Sequence, residues 1–333
     1  MINKIAEILR NGDDFLVVTH VNPDGDAIGS LLGMRLALEE MGKRSWALVG
    51  EQPPSQYDFL GARTKVITDP RSVNGTPSWI IALDCADQGR ISADLGRFRP
   101  PCRLINIDHH VTNPLYGELH LVETGASCSA ELAFRVLKQA GYTLSRTVGK
   151  CLYTGLITDT GGFRYPGVNS RTFQVASELL EPGIDSYDVS RHLYEEYPLS
   201  RFQLEALMLD RMEMMHQGTL VVSVLYLDDF RRLNVDTSET ENLVNRLREI
   251  RGVEAGVLIT QVSEQLTRVS LRSKGQLNVA LIAKGFGGGG HPRAAGFKSL
   301  EPPEAIKNQV IQAVGEAWAT PDTVRVDPPG LSD

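Results

Sequence analysis

The sequence predicts an α/β protein: an open, mainly parallel sheet with helices on both faces, followed by a smaller α/β domain. Three observations predict it. Short apolar runs alternate with helix-patterned stretches through the first half. Several of those runs finish in acidic or histidine residues, as parallel strands do where they deliver groups to their carboxyl ends. Past residue 215 the alternation gives way to runs that pair as strands. The chain has 333 residues, and single hydrophobic cores stop growing at about 250–300, so two cores are expected.

Taken in order, FLVVTH at 15–20 reads as a buried strand, AIGSLLGMRLALEEMG at 27–42 as a helix ending at Gly42, and SWALVG at 45–50 as the next strand. WIIALDCA at 79–86 and CRLINIDHH at 102–110 are two further strands with polar ends. Helical patterns follow near 127–140, 146–158, 171–181 and 187–194. The stretch 199–215 reads as the body of one long connecting helix over 191–215. TLVVSVLYL, VEAGVLITQV and LTRVSLRS read as strands, the last two as a hairpin. The expected boundaries are therefore 1–190, a linker helix at 191–215 and a second domain at 216–318. The segment 319–333 is expected to be loosely ordered, being rich in Pro and poor in apolar residues.

Hydrophobic residues make up 42% and charged residues 23%, the balance of a folded globular chain. A formal net charge of −7 argues against a protein that grips long duplex nucleic acid, because that affinity comes from phosphate neutralisation by Lys and Arg. Cys85, Cys102, Cys128 and Cys151 show no paired CxxC spacing, so reduced thiols in the cytoplasm are expected. No apolar run has the length of a membrane span, and the N-terminus lacks the continuous apolar core of a signal peptide.

The informative residues stand at strand and helix ends. His20 precedes Asp24 and Asp26 in THVNPDGDAIGS, Asp84 ends WIIALD, Asp108-His109-His110 ends CRLINI, and Asp159 lies in GLITDTGGF. Singly, each has a plain structural reading: Asp24 or Asp26 as a helix cap, Asp84 and Asp159 as turn formers, the histidines as surface or satisfied core residues. Together they concentrate more carboxylate and imidazole on one sheet edge than solvated turns account for, and such mutual repulsion calls for cations. The donor set suits Mn²⁺, Mg²⁺, Fe²⁺ or Co²⁺, and the absence of a Cys set argues against structural zinc.

The motifs HVNPDGDAIGS, ALDCAD, IDHH and LITDTGGF resemble, in order and spacing, those of the DHH phosphoesterase family, whose namesake triplet here is Asp108-His109-His110. GGGGHPRAAGF at 287–297 is similar to the signature of the DHH-associated substrate-binding domain. The resemblance implies two divalent ions, most commonly Mn²⁺. His20, Asp24 and Asp84 would hold one and Asp26, Asp84, His109 and Asp159 the other, with Asp84 bridging. It also implies that Asp108 orients a histidine and that His110 contacts the scissile phosphate or leaving oxygen. Arg272, Ser273, Lys274, Gly288, Gly289, Gly290 and His291 would bind substrate across a cleft from the metals. Length and layout are most similar to the branch that degrades very short RNA and removes the 3′-phosphate of 3′-phosphoadenosine-5′-phosphate (pAp). Short RNA or DNA oligomers or nucleotide phosphates are then the substrates. A soluble phosphodiesterase of cyclic di-AMP or pApA, a RecJ-like single-strand exonuclease, and a nucleotide sensor without catalysis remain alternatives; a homodimer is left open.

Overall fold

The computed structural model describes residues 1–98 and 102–319 and divides into two compact units, Met1–Glu196 and the chain from Tyr197 onward. The expectation for 319–333 falls, apart from Ala319, outside the described residues.

In the first unit five parallel strands, β1 (Phe15–Val18), β2 (Ser45–Leu48), β3 (Trp79–Leu83), β4 (Arg103–Asp108) and β5 (Leu119–Val122), stand in the order β2-β1-β3-β4-β5. Alternate residues separate the faces. Phe15, Val17, Ile81, Leu83, Ile105 and Ile107 share a core with the helices Ile2–Asn11, Gly25–Glu40, Ser129–Gln139 and Arg146–Asp159. Leu16, Val18, Leu48, Ile80 and Ala82 face Val73, Leu95 and Phe98, supplied by loops and short 3-10 turns. Strand order reverses between β1 and β3, and in open α/β sheets the crevice at such a switch point, beyond the carboxyl ends, is where ligands bind.

The helix Gly25–Glu40 is buried along most of its length and lies on Arg146–Asp159 through glycines. A Cβ added at Gly29 would fall 2.5 Å from the Cys151 carbonyl oxygen and 2.7 Å from the Gly155 nitrogen; one at Gly33 would strike Leu152 at 2.6 Å. At Gly29 the two helices therefore meet backbone to backbone.

The second unit carries a six-stranded sheet of β6 (Glu213–Met215), β7 (Leu220–Leu225), β8 (Ala255–Ser263), β9 (Leu266–Ser273), β10 (Gly289–His291) and β11 (Ala294–Ser299), in the order β10-β11-β9-β8-β7-β6. The hairpin expected from VEAGVLITQV and LTRVSLRS is β8–β9. The single helix expected over 191–215 is not formed. Helix Ser186–Tyr194 stops, a new helix runs Leu199–Asp210, and Glu213–Met215 is a strand paired with β7. Pro198 accounts for the break: its ring disfavours helical backbone at Tyr197 and its nitrogen has no proton to donate. No described helix is long and apolar enough to cross a membrane.

Candidate metal centre

Each strand of the switch point ends by presenting a ligand-competent side chain. Beyond β1, His20 is held by its Nδ1, which donates to the Val21 carbonyl at 2.8 Å; this leaves Nε2 to face the Asp84 carboxylate. Asp24 caps the helix Gly25–Glu40 by accepting from the Asp26 and Ala27 nitrogens on Oδ1, at 3.1 and 3.0 Å. The capping reading of Asp24 therefore holds, while Oδ2 is left out of that cap. Asp26, in the first turn, is used differently: its two oxygens accept from the backbone N–H groups of Ser129 and Ala130, at 2.6 and 2.8 Å, so the N-terminus of a second helix faces it. Beyond β3, Asp84 takes the left-handed backbone conformation with φ +54°, which Asp tolerates better than most residues and which turns its carboxylate over the strand ends.

The distances converge on Asp84. Oδ2 lies 3.4 Å from His20 Nε2, and Oδ1 lies 3.6 Å from His109 Nε2 and 3.8 Å from His110 Nδ1. Asp159, the last residue of its helix, brings Oδ2 to 3.4 Å from His109 Nε2. Such separations exceed hydrogen-bond length, roughly 2.7–3.2 Å. They match two donor atoms sharing one ion at about 2.0–2.2 Å each. Among the groups of donors brought together, two hold the predicted ligands, His20 with Asp24 and Asp84, and Asp26 with His109 and Asp159, and a third joins Asp84, Asp108 and His110; within each, one donor atom per residue lies within 4.8 Å of the others.

Electrostatics point the same way. Burial, with the charges of Asp84, Asp159 and Asp24, holds the Asp26 carboxyl well above the usual range. Burial likewise pushes Asp159 up to about 7, against the pull of His109. Asp84 is buried too, yet His20, His110 and His109 hold it below the usual range. Asp26, Asp84 and Asp159 cannot all ionise so close together without added positive charge, and divalent cations supply it. The residues present thus fit bound metal.

The family model described as the DHH family, N-terminal domain, matches residues 14–156, and that of the DHHA1 domain matches 217–318. A Thermus thermophilus protein named bifunctional oligoribonuclease and PAP phosphatase NrnA is 31% identical over 316 residues, 94% of this chain and 93% of that relative. The chain belongs to the DHH family. A cyclic-di-AMP phosphodiesterase of Listeria monocytogenes, PdeA, is 27% identical over 94% of this chain but only 49% of its own length. The solved structure of an exopolyphosphatase-related protein from Bacteroides fragilis matches with a TM-score of 0.87 at 27% identity, covering 96% of each chain.

The DHH triplet itself divides by depth. His109 points to the two carboxylates named above, while Asp108, fully buried, accepts from His110 Nδ1 at 2.7 Å. Burial opposes the charged imidazole, but Asp108, Asp84 and Asp159 push His110 up to about 9. Sequence reasoning missed Ser129, whose hydroxyl donates to Asp84 Oδ1 at 3.0 Å. It also missed Asn113, which donates to Asp108 Oδ2 at 2.7 Å. For Ser129 the available signal was its place at a helix start; for Asn113, an amide three residues past the triplet.

In the DHHA1 unit, register aligns His291 of β10, Ala294 of β11 and Arg272 of β9 in one row, so Arg272 and His291 stand on one face of the sheet with an alanine between them. The adjoining row, Gly289, Gly296 and Ser270, is nearly bare of side chains. Ser273 departs from expectation. It points to the opposite face, is buried, and spends its hydroxyl on the Leu277 carbonyl at 2.7 Å. Lys274 is exposed and donates to the Ile250 carbonyl at 2.7 Å. The glycine run has a structural reason of its own. A Cβ at Gly288 would fall 2.3 Å from the Gly296 carbonyl oxygen, and Gly290, at φ +140°, would meet that of Ala294 at 2.5 Å.

Proposed function

We propose that this DHH protein is a metal-dependent phosphoesterase that hydrolyses very short oligoribonucleotides to mononucleotides and pAp to AMP. The observation that carries the reading is a pair of donor groups at the switch point of the sheet with Asp84 between them, its Oδ2 3.4 Å from His20 Nε2 in one group and its Oδ1 3.6 Å from His109 Nε2 in the other. His20, Asp24 and Asp84 hold one divalent cation; Asp26, Asp84, His109 and Asp159 hold the other, with Mn²⁺ the preferred ion. When bound, the two cations activate water and neutralise charge on the phosphoryl oxygens. The side chains do the rest. Asp84 fixes the spacing of the two groups, Ser129 and the backbone N–H groups on Asp26 hold the carboxylates in place, and His110, kept by Asp108, exchanges a proton with the leaving oxygen. Arg272 and His291 grip a terminal phosphate, Arg272 through its planar fork, over the bare floor of Gly289 and Gly296. Ser273 is left out of this grip. The reaction belongs in a reducing cytoplasm, where the four unpaired cysteines stay thiols.

Similarity to PdeA keeps a second reading in view, a phosphodiesterase of cyclic di-AMP or of its linear product pApA. Parallel assays in Mn²⁺ of pAp, pApA, pGpG, cyclic di-AMP, a five-mer and a twenty-mer RNA separate the two. Dinucleotides and pAp are expected to turn over fastest. Faster cleavage of cyclic di-AMP would favour the second reading. A twenty-mer degraded as well as a dinucleotide, at equal concentration of ends, would replace both with a RecJ-like exonuclease.

A further inference from the structure

Behind the DHH triplet lies a chain of hydrogen bonds that ends on Asp108 and His110 and whose other members have no part in the chemistry proposed above. It starts at the Cys85 carbonyl, one residue past Asp84, which accepts from the Tyr116 hydroxyl at 2.8 Å. Having donated its proton, the Tyr116 oxygen accepts from Asn106 Nδ2 at 3.1 Å. Asn106 is fully buried in β4, and its amide also reaches the Cys85 carbonyl at 3.2 Å. Its Oδ1 accepts from Asn113 Nδ2 at 2.7 Å, and the same Asn113 nitrogen donates to Asp108 Oδ2 at 2.7 Å. Asp108 Oδ1 meets His110 Nδ1 at 2.7 Å.

The orientation of the Asn113 amide is fixed by its partners. Asn113 Oδ1 accepts from the Leu115 nitrogen at 2.8 Å; a flipped amide would set three oxygens against one another and an N–H₂ against an N–H, so the assignment is unique. Its amide nitrogen donates to Asn106 Oδ1 and Asp108 Oδ2 at 2.7 Å each, with the Cys85 carbonyl a longer third partner at 3.5 Å. As a carboxylate, Asp108 accepts at both oxygens, from Asn113 on Oδ2 and from the Nδ1–H of His110 on Oδ1. That leaves Nε2 as the ring atom that exchanges a proton. Without Asn113, Asp108 Oδ2 loses a donor in a buried place, and the carboxylate becomes free to rotate or draw His110 with it.

We propose that Asn113, backed by Asn106 and Tyr116, is a positioning residue that locks Asp108 and through it sets the ring orientation and tautomer of His110. This rests on the phosphoesterase reading and on the role of His110 toward the leaving oxygen. The lock acts on proton transfer to that oxygen, so its loss falls on kcat, with KM little changed. It also falls hardest on esters whose leaving group needs a proton.

The test compares wild-type holoenzyme with Asn113→Ala, Tyr116→Phe, His110→Ala and the double variant Asn113→Ala/His110→Ala. The substrates are pApA and thymidine 5′-p-nitrophenyl phosphate, with bound metal measured in each preparation. Replacing such an outer partner typically lowers activity by about 10–100-fold. Asn113→Ala should lose that much in kcat on pApA and far less on the nitrophenyl ester, whose leaving group departs without a proton, while metal content stays at the wild-type level. Tyr116→Phe, which removes one hydroxyl, should show the same substrate contrast at smaller amplitude and guards against misfolding of the first variant. The double variant should be no slower than His110→Ala alone. Equal losses on both substrates, loss of metal, or additive effects in the double variant would overturn the lock. Wild-type protein inactive on pApA and pAp would instead sink the phosphoesterase reading, and the lock with it.

Discussion

Gly29→Ala sets two physical effects against each other, and the contact geometry decides which wins. Helix propensity favours the substitution, since Gly in a helix interior is destabilising by roughly 0.5–1 kcal/mol relative to Ala. Contact opposes it. The new Cβ would lie 2.5 Å from the Cys151 carbonyl oxygen, 2.7 Å from the Gly155 nitrogen and 3.0 Å from the Gly155 Cα. All three atoms are backbone, so no side chain can swing away. Reaching ordinary contact requires the two helices to part by about 1 Å, and overpacking of this kind typically costs about 1–3 kcal/mol. The net expectation is destabilisation by about 1–2 kcal/mol, or roughly 2–8 °C in Tm at about 2–4 °C per kcal/mol for a unit of this size. The same movement separates Asp26, on one helix, from Asp159, on the other, and misplacement by about 1 Å can lower turnover by about 100-fold. Differential scanning fluorimetry with and without Mn²⁺, together with kcat on pApA, measures both. A variant at least as stable as wild type with unchanged kcat would show that the glycine contact neither limits packing nor sets the site.

The remaining predictions follow from the same geometry. Asp84→Ala removes the group common to both donor sets and should lower kcat/KM by about 10³-fold or more; chelation should abolish turnover and Mn²⁺ restore it, and near-normal rates in either case would refute the shared-ligand arrangement. Arg272→Ala should raise KM about 10–100-fold, the loss of one charge-assisted contact worth about 1.5–3 kcal/mol. On bis-p-nitrophenyl phosphate it should stay within about threefold of wild type, and abolished turnover there would put Arg272 on the reacting phosphoryl group. Burial raises the thiols of Cys85 to about 11 and Cys151 to about 12, and that of Cys128 well above its usual value. All three should therefore resist Ellman's reagent at pH 8 until guanidinium unfolds the protein; rapid reaction of three thiols in native protein would contradict the packing described.

Strands β1 to β4 are legible in the sequence because each is an apolar run bounded by polar residues, and the ligand acids are legible because they stand at those boundaries. Strand β5 is not: Leu119–Val122 is four residues long, contains His120, and gives no period to read. Over 211–215, RMEMM continues the composition of the helix before it, and only pairing with Leu220–Val222 makes Glu213–Met215 a strand. Arg272-Ser273-Lys274 looks like one polar grip when read along the chain, but a strand turns successive side chains to opposite faces, so Arg272 and Ser273 cannot act together. Ser129 and Asn113 escape for a different reason. Hydroxyls and amides occur at every helix start and turn, and what sets these two apart is the buried carboxylate each one meets, which only the fold reveals.

The glycine crossing of the helices Gly25–Glu40 and Arg146–Asp159 also bears on which ions the centre can select. A gap maintained by side chains can be widened or narrowed by exchanging a Val for a Leu. At Gly29 the gap is maintained by main chain, which offers no such adjustment, and a Cβ at Gly155 would strike Ala130 Cβ at 2.7 Å and Asp26 Oδ1 at 2.8 Å. Asp26 and Asp159 therefore form a gauge of nearly fixed width. Related chains that keep these glycines must tune metal preference through the identity of the donors, and chains that exchange them must rebuild the centre as a whole.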